Sequence, residues 1–321
     1  MRGKQMKKLT IALLYGGVSS EREVSLNGGN QVFQALDKEK YNVRRYDPKT
    51  DLSQLVSDAD QIDAAVILLH GPYGEDGTIQ GLLDLLNIPY QGSGVLGSAL
   101  AMNKLVAKQL YEKAGLPVPP YIAISQGDAF DARACVKRLG LPLVIKPVAC
   151  GSSVGMSIVR AETDLKAAVD TAFAYDDTVL IEAYIKGREL TGGVIGNKDP
   201  EAMPIIEIIP DENHEFFDYE AKYVAGVTQE ICPARIDDAL TEKAQTYAKI
   251  AHEILCCKGY SRTDMILMNQ DIYVLETNTI PGMTSTSLFP QAAEAAGLSF
   301  SQLMDRLIDL SLEGADANET K

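Results

Sequence analysis

The chain has 321 residues, 46% of them hydrophobic, and carries 44 Asp and Glu against 30 Lys and Arg, a formal charge of −14 at pH 7. This length and apolar content accommodate two or three packed units, and the acidic balance excludes nucleic acid as a partner, because that binding depends on neutralising phosphates with Lys and Arg. A small phosphate ligand is not excluded: screening acts beyond about 8 Å, so a few lysines in a cleft outweigh distant carboxylates. No run approaches the ~20 apolar residues that span a bilayer. Lys4, Lys7 and Lys8 precede an apolar run that is too short for a secretory leader and ends in Gly16-Gly17. The five cysteines show neither a disulfide framework nor paired metal-ligand spacing. These features predict a cytoplasmic protein with no membrane partner.

In chain order, the first ninety residues alternate strand and helix patterns: a strand over Leu9 to Tyr15, a helix over Val24 to Leu36, strands over Val43 to Tyr46 and Ala64 to His70, and a helix over Ile79 to Leu86. This is the signature of an α/β layer. The loop Gly16 to Ser25 opens a helix after the first strand, a place that favours anions. It is not a dinucleotide fingerprint, since Gly-x-Gly-x-x-Gly is absent and Glu21 would repel a pyrophosphate. Around Gln91 to Gly94 a glycine-serine stretch closes the layer, and a helix-rich segment is expected from Leu96 to Ala114.

A second unit follows, with strand Leu143 to Lys146, the loop Gly151-Ser152-Ser153-Val154-Gly155, strand Met156 to Val159, helix Thr163 to Tyr175 and strand Val179 to Glu182. A glycine-rich loop between two strands can lie across phosphate and offer it several N–H groups, although a plain turn reads the same way. It lacks the Gly-Lys-Ser/Thr ending of a P-loop. A third unit carries strands near Leu190 to Ile195 and Pro204 to Ile209, an amphipathic helix from Asp237 to Cys256, a hairpin and a terminal helix from Ser299 to Leu312. The segments 1–92, 93–189 and 190–321 are read as the three domains.

The hairpin is the most informative feature. Asp264 opens an apolar run, Asn269-Gln270-Asp271 reads as the turn, and the return strand ends in Glu276, Thr277 and Asn278. Asp264, Glu276 and Asn278 then present oxygens at one end of two paired strands. A sparse hard-oxygen set suits magnesium shared with substrate phosphates better than a closed structural site. Arg262 lies beside it, and Pro281-Gly282 leads into the hydroxyl run Thr284 to Ser287. A cation and backbone donors next to a metal-bound phosphate suit acyl transfer, where charge develops on an oxygen.

This segment resembles the carboxy-terminal metal and substrate loop of the D-alanine–D-alanine ligases, members of the ATP-grasp superfamily. His70-Gly71-Pro72-Tyr73-Gly74-Glu75-Asp76-Gly77 and Asp218-Tyr219-Glu220-Ala221-Lys222-Tyr223 resemble two further motifs of that family, and the likeness runs from about Leu9 to Leu312. It implies a three-domain ATP-grasp architecture, α/β in its amino-terminal parallel domain and α+β in the ATP-grasp part. It also implies ATP and two Mg²⁺ ions, with Mn²⁺ as a substitute, and a homodimer.

By the same resemblance, Lys104 and Lys146 contact phosphate oxygens beneath the loop of Gly151 and Ser153. Glu21 binds the ammonium of the first D-alanine in a network with Ser152 and Tyr223, and His70 belongs to that site. Lys222, Ser287 and the Leu288 N–H hold the carboxylate of the second substrate, while Arg262 and the Gly282 N–H stabilise the oxyanion. Ala183 stands where some relatives place a lysine near adenine. Adenine is therefore expected on backbone groups around Glu182 to Ile185, with Glu189 on the ribose. The implied reaction forms D-alanyl phosphate and then the dipeptide. Its rivals are D-lactate or D-serine as second substrate, a different acid activated by the same chemistry, and a catalytically dead nucleotide-binding regulator. Cys150, beside the loop, is expected to confer sensitivity to thiol reagents.

Overall fold

The computed structural model describes residues 7–151, 153–210 and 228–313. Ser152, Lys222 and Tyr223 lie outside the described residues.

Three sheets organise the chain. The first is parallel, with β1 (Leu9–Leu14) between β2 (Tyr41–Tyr46) and β3 (Ala64–Ile67). The central strand β1 and its neighbour β3 are apolar on both faces, as a parallel sheet covered on both sides requires, whereas β2 is a polar edge strand. Ile11 and Leu13 join Val32 of helix α1 (Arg22–Ala35) in one core, whereas Ala12 and Leu14 join Leu55 of α2 (Leu52–Asp58) and Leu83 of α3 (Thr78–Leu85) in another. The first core also holds Leu303, Met304 and Leu307, which belong to α10 (Phe300–Leu312). The end of the chain is thereby packed against its beginning.

The second sheet is antiparallel, ordered β4 (Tyr121–Ser125), β7 (Thr178–Ala183), β5 (Leu143–Pro147), β6 (Ser157–Val159). Period-two alternation divides its faces. Leu143, Ile145, Val159 and Ile181 pack under α6 (Ala132–Leu139) and α7 (Glu162–Ala172), while Val144, Lys146, Ile158 and Glu182 face a cleft. Strand β4 and helix α6 were not expected from the sequence. Both are short, and β4 is a half-exposed edge strand with no strong alternation.

The third sheet runs β11 (Thr228–Ile231), β10 (Ile206–Pro210), β8 (Arg188–Ile195), β12 (Tyr260–Met268), β13 (Asp271–Asn278), with β9 (Glu201–Ala202) also paired to β8. Helix α8 (Asp238–Ile254) covers one face. Gly192 and Gly193 set how closely helices approach β8: a Cβ on Gly192 would stand 2.9 Å from the Ala248 methyl of α8, and one on Gly193 3.1 Å from the Phe289 ring of α9 (Leu288–Ala295).

The helix-rich segment expected over Leu96 to Ala114 consists of two helices, α4 (Val95–Met102) and α5 (Lys104–Lys113). Asn103 separates them because its backbone is extended, and its Oδ1 accepts the Val106 N–H at 3.0 Å as an N-cap. Although they precede the second sheet in sequence, α4 and α5 share the core of the third, through Ala101, Ala107 and Tyr111. The Tyr111 hydroxyl donates to Thr277 Oγ1 at 2.8 Å, fastening α5 to β13.

Candidate active site

The pairing of β12 with β13 sets Asp264 directly opposite Glu276 and Arg262 opposite Asn278, with a register shift just after Asp264. Two like charges directly across a ladder repel, so the arrangement needs cations. Arg262 supplies one in cis: its Nε donates to Asp264 Oδ1 at 2.9 Å and its Nη2 to Oδ2 at 2.8 Å. Thr191 Oγ1 donates to Oδ1 at 2.6 Å and Asn278 Nδ2 to Oδ2 at 3.1 Å. Glu276 Oε2 lies 3.4 Å from Lys104 Nζ.

Two facing carboxylates with a neighbouring amide form a hard-oxygen set that fits a divalent cation. The set is sparse. Among the described residues no group of three or more His, Cys, Asp or Glu could hold a metal, so an ion here would complete its shell with phosphate oxygens and water, as magnesium does.

Two cavities meet at this pair. One, of about 450 Å³, lies between the second and third sheets, with Lys146, Glu182 and Glu189 among its polar lining and Val144, Ile158 and Met265 among its apolar walls. The other, of about 390 Å³, is lined by Glu21, His70, Arg262, Asn278, Gly282 and Ser287. Lys104 and Glu276 line both.

In the first cavity, Lys104 is the opening residue of α5, and its Nζ donates to the Cys150 carbonyl at 2.7 Å. Lys146 Nζ lies 2.9 Å from Glu182 Oε2. The glycine-serine loop turns tightly: the Val154 N–H donates to the Gly151 carbonyl and the Met156 N–H to the Ser153 carbonyl, each at 3.1 Å. Ser153 has φ +59° and Gly155 +71°. Ala183 ends β7, and its N–H donates to the Pro120 carbonyl at 2.8 Å. The Cys150 thiol is pushed up by burial and by Asp176, with Lys104 opposing, which works against the thiolate needed for alkylation.

The second cavity assembles distant segments. Glu21 is the buried N-cap residue of α1, and a Cβ on Gly151 would lie 3.4 Å from its Oε2, so the start of the glycine-serine loop abuts it. His70 is buried; desolvation lowers its pKa, the Glu21 charge opposes this, Arg262 reinforces it, and the imidazole is hydrogen-bonded to the Ile280 backbone. Gly282 and Ser287 stand together: a Cβ at Gly282 would sit 3.0 Å from Ser287 Oγ. Ser287 Oγ accepts the Thr284 N–H at 3.1 Å and opens α9, whose first turn leaves N–H groups without intrahelical partners, a setting that suits a carboxylate. Leu288, the first residue of α9, has a buried side chain.

Comparison with known proteins gives the family. The family described as "D-ala D-ala ligase C-terminus" matches residues 110–309, and "D-ala D-ala ligase N-terminus" matches residues 46–93. The D-alanine–D-alanine ligase of Syntrophobacter fumaroxidans is 62% identical over 96% of this chain and 99% of its own. The chain belongs to the D-alanine–D-alanine ligase family. The ligase of Desulfotalea psychrophila is 54% identical over 98% of both chains. The crystal structure of the Bacillus anthracis ligase complexed with ATP superposes with a TM-score of 0.84 at 35% identity, covering 97% of this chain and 99% of that one. The fold is accordingly that of the ATP-grasp ligases, with a parallel amino-terminal sheet.

For this family member, the structure adds residues to which the sequence assigned no role. Glu75 lines the second cavity, its Oε2 accepts the Gly71 N–H at 2.7 Å, and burial followed by the Glu21 charge pushes it up to about 8. Glu230, on β11, lines the same cavity and is raised by burial, while its hydrogen bond from Gln291 acts in the opposite direction. Lys108 lies fully buried behind Glu182, 3.1 Å from its Oε1. Its spacing of four from Lys104 on one helix face was the available signal.

Proposed function

We infer that this protein joins two D-alanine molecules into D-alanyl-D-alanine at the expense of ATP, supplying the dipeptide of the peptidoglycan precursor. One observation carries the reading: two adjoining clefts, of about 450 and 390 Å³, share Lys104 and Glu276 beside the Asp264–Glu276 pair.

A carboxylate is too poor an electrophile to meet an amine at neutral pH, and phosphorylation removes that barrier. The carboxylate oxygen of the first D-alanine attacks the terminal phosphoryl of ATP, the bond to ADP breaks, and D-alanyl phosphate forms. Glu21 holds the ammonium of this substrate, and His70, kept neutral by burial, lines the same site. Lys104, Lys146 and the N–H groups of Gly151 and Ser153 hold the phosphates. Asp264, Glu276 and Asn278 would hold two Mg²⁺ ions, or Mn²⁺ in their place; bound there, they would neutralise charge developing on the phosphoryl oxygens.

The neutral amine of the second D-alanine then attacks the acyl carbon. Arg262 and the Gly282 N–H stabilise the tetrahedral oxyanion, phosphate leaves with the former carboxylate oxygen, and the amine loses a proton. Ser287, the Leu288 N–H and Lys222 fix the second carboxylate. Ser152 and Tyr223 complete the network around Glu21. Adenine lies against Glu182 to Ile185, including Ala183, and Glu189 holds the ribose.

No helix among the described residues is long and apolar enough to cross a membrane. The five cysteines are free thiols, which supports a reducing, cytoplasmic setting. The resemblance also implies a homodimer through the amino-terminal domain, where Leu85 and Val18 are exposed; light scattering in solution tests it.

The decisive experiment measures magnesium-dependent phosphate release from ATP with D-alanine alone, and with D-alanine plus D-lactate or D-serine, identifying products by mass. D-alanyl-D-alanine as the main product supports the assignment. A mixed ester or a serine-containing dipeptide as main product changes the acceptor, and no release with any of them overturns the reading.

A further inference from the structure

Glu182 sits at the centre of a three-residue charge cluster in the wall of the nucleotide cleft. Lys108 Nζ lies 3.1 Å from its Oε1 and Lys146 Nζ 2.9 Å from its Oε2, so two cations share one anion. The two lysines differ in position. Lys146 lines the cleft and keeps 11% of its side chain exposed, whereas Lys108 is wholly enclosed and stands behind the carboxylate, off the cleft lining. Around Lys108 stand the Glu182 carboxylate and the Tyr121 ring, whose centroid is 5.5 Å from Nζ; Glu112, one turn further along α5, accepts the Tyr121 hydroxyl at 2.9 Å. Tyr121 and Glu182 are register partners on β4 and β7.

A buried carboxylate that loses its only cation is left as an uncompensated charge, a strongly destabilising state. Lys146 could therefore not turn toward a phosphate if it were the sole partner of Glu182. The second lysine removes that obstacle. Resting on the ATP-dependent reading above, we propose that Lys108 is a positioning residue of the ATP site: it is the permanent counter-ion of Glu182, keeping that carboxylate ionised and aimed at the cleft, and it releases Lys146 for phosphate. The helix that carries it also fixes the site from the other side, since Lys104 opens the same helix and its N–H donates to the Val148 carbonyl at 3.0 Å. Burial lowers the Lys108 pKa and Lys146 lowers it further, while the Glu182 charge raises it, so each of the two buried groups favours the charged form of the other.

The test compares the full-length wild-type protein with Lys108→Met and Lys108→Arg, reading ATP affinity by calorimetry without D-alanine and then steady-state kinetics. Lys108→Met weakens ATP binding at least tenfold, while kcat at saturating ATP stays within threefold and the KM for D-alanine within twofold. Lys108→Arg restores most of the affinity. In a Glu182→Gln background, where no anion remains to hold, Lys108→Met adds less than twofold. A folded Lys108→Met protein with unchanged ATP affinity overturns the proposal, as does a tenfold loss that persists in the Glu182→Gln background. Should Lys108→Met alone fail to fold, the double variant, which removes both buried charges, decides by comparison with Glu182→Gln. Because the affinity is read without an amino acid, a wrong acceptor substrate would abolish wild-type turnover and leave this comparison intact.

Discussion

Replacing Arg262 by alanine removes two things at once, and the structure says how much of each. The guanidinium donates twice to Asp264, in a pair whose side chains keep 12% and 15% of their surface. Breaking a buried pair from one side costs about 3–5 kcal/mol, but Asp264 retains donors from Thr191 and Asn278. The loss in stability is therefore expected near that of one charged hydrogen bond, about 1.5–3 kcal/mol, which lowers Tm by several degrees in a chain of this size. The catalytic loss is separate. On the proposed oxyanion role, removing one such donor costs about 10²–10³ in kcat, whereas Arg262 lines the second cavity and not the first. Arg262→Ala should thus bind ATP within a few-fold of wild type and form dipeptide about 10²–10³ more slowly. Arg262→Lys, which keeps the charge but loses the two-pronged fork, falls between. The assay is dipeptide formation at saturating ATP beside calorimetric ATP binding, at a temperature well below both melting points. A kcat within threefold of wild type would remove Arg262 from the transition state.

Three other outcomes are expected. Glu75 is held protonated near neutrality because burial and Glu21 push it up to about 8, above its ordinary value of 4.5. The folded state then binds the extra proton between those values, so this group's contribution is present below about pH 4.5 and fades as pH rises through about 8. Glu75→Gln mimics the protonated acid and should flatten the fall of Tm across that window; identical slopes in the two proteins would contradict the assignment. Phe289→Ala empties a buried site between Gly193 and Tyr260, whose ring meets it edge-on at 5.3 Å. It should cost about 3–5 kcal/mol by urea titration. It should also raise the KM for D-alanine more than that for ATP, since α9 carries Leu288 beside it; an unchanged D-alanine KM would separate α9 from substrate binding. Chelating divalent cations should stop phosphate release reversibly, with activity restored by Mg²⁺ or Mn²⁺. Undiminished turnover in chelator would rule out a metal role for Asp264 and Glu276.

Much of the candidate site's geometry was legible in the chain because it is local. Asp264, Glu276 and Asn278 are joined by a short turn, and apolar alternation along two adjacent strands sets which residues face each other. The glycine loop from Gly151 to Gly155 likewise lies between two strands that pair with each other. What the sequence could not determine depends on partners brought from afar. A lysine at position 108 reads as an ordinary helix residue until β7 delivers Glu182 and burial excludes water from both. Glu75 becomes a neutral acid only when the amino-terminal loops close around it with Glu21. Asn103 lies within a helix-rich segment, and only its extended backbone in the folded chain makes it the cap of the helix that Lys104 opens, with Lys104 Nζ on the Cys150 carbonyl. Residue type and spacing determine which oxygens and nitrogens are available; their charge states and exchangeable partners follow from desolvation, which exists only once the three sheets and the helices between them have packed.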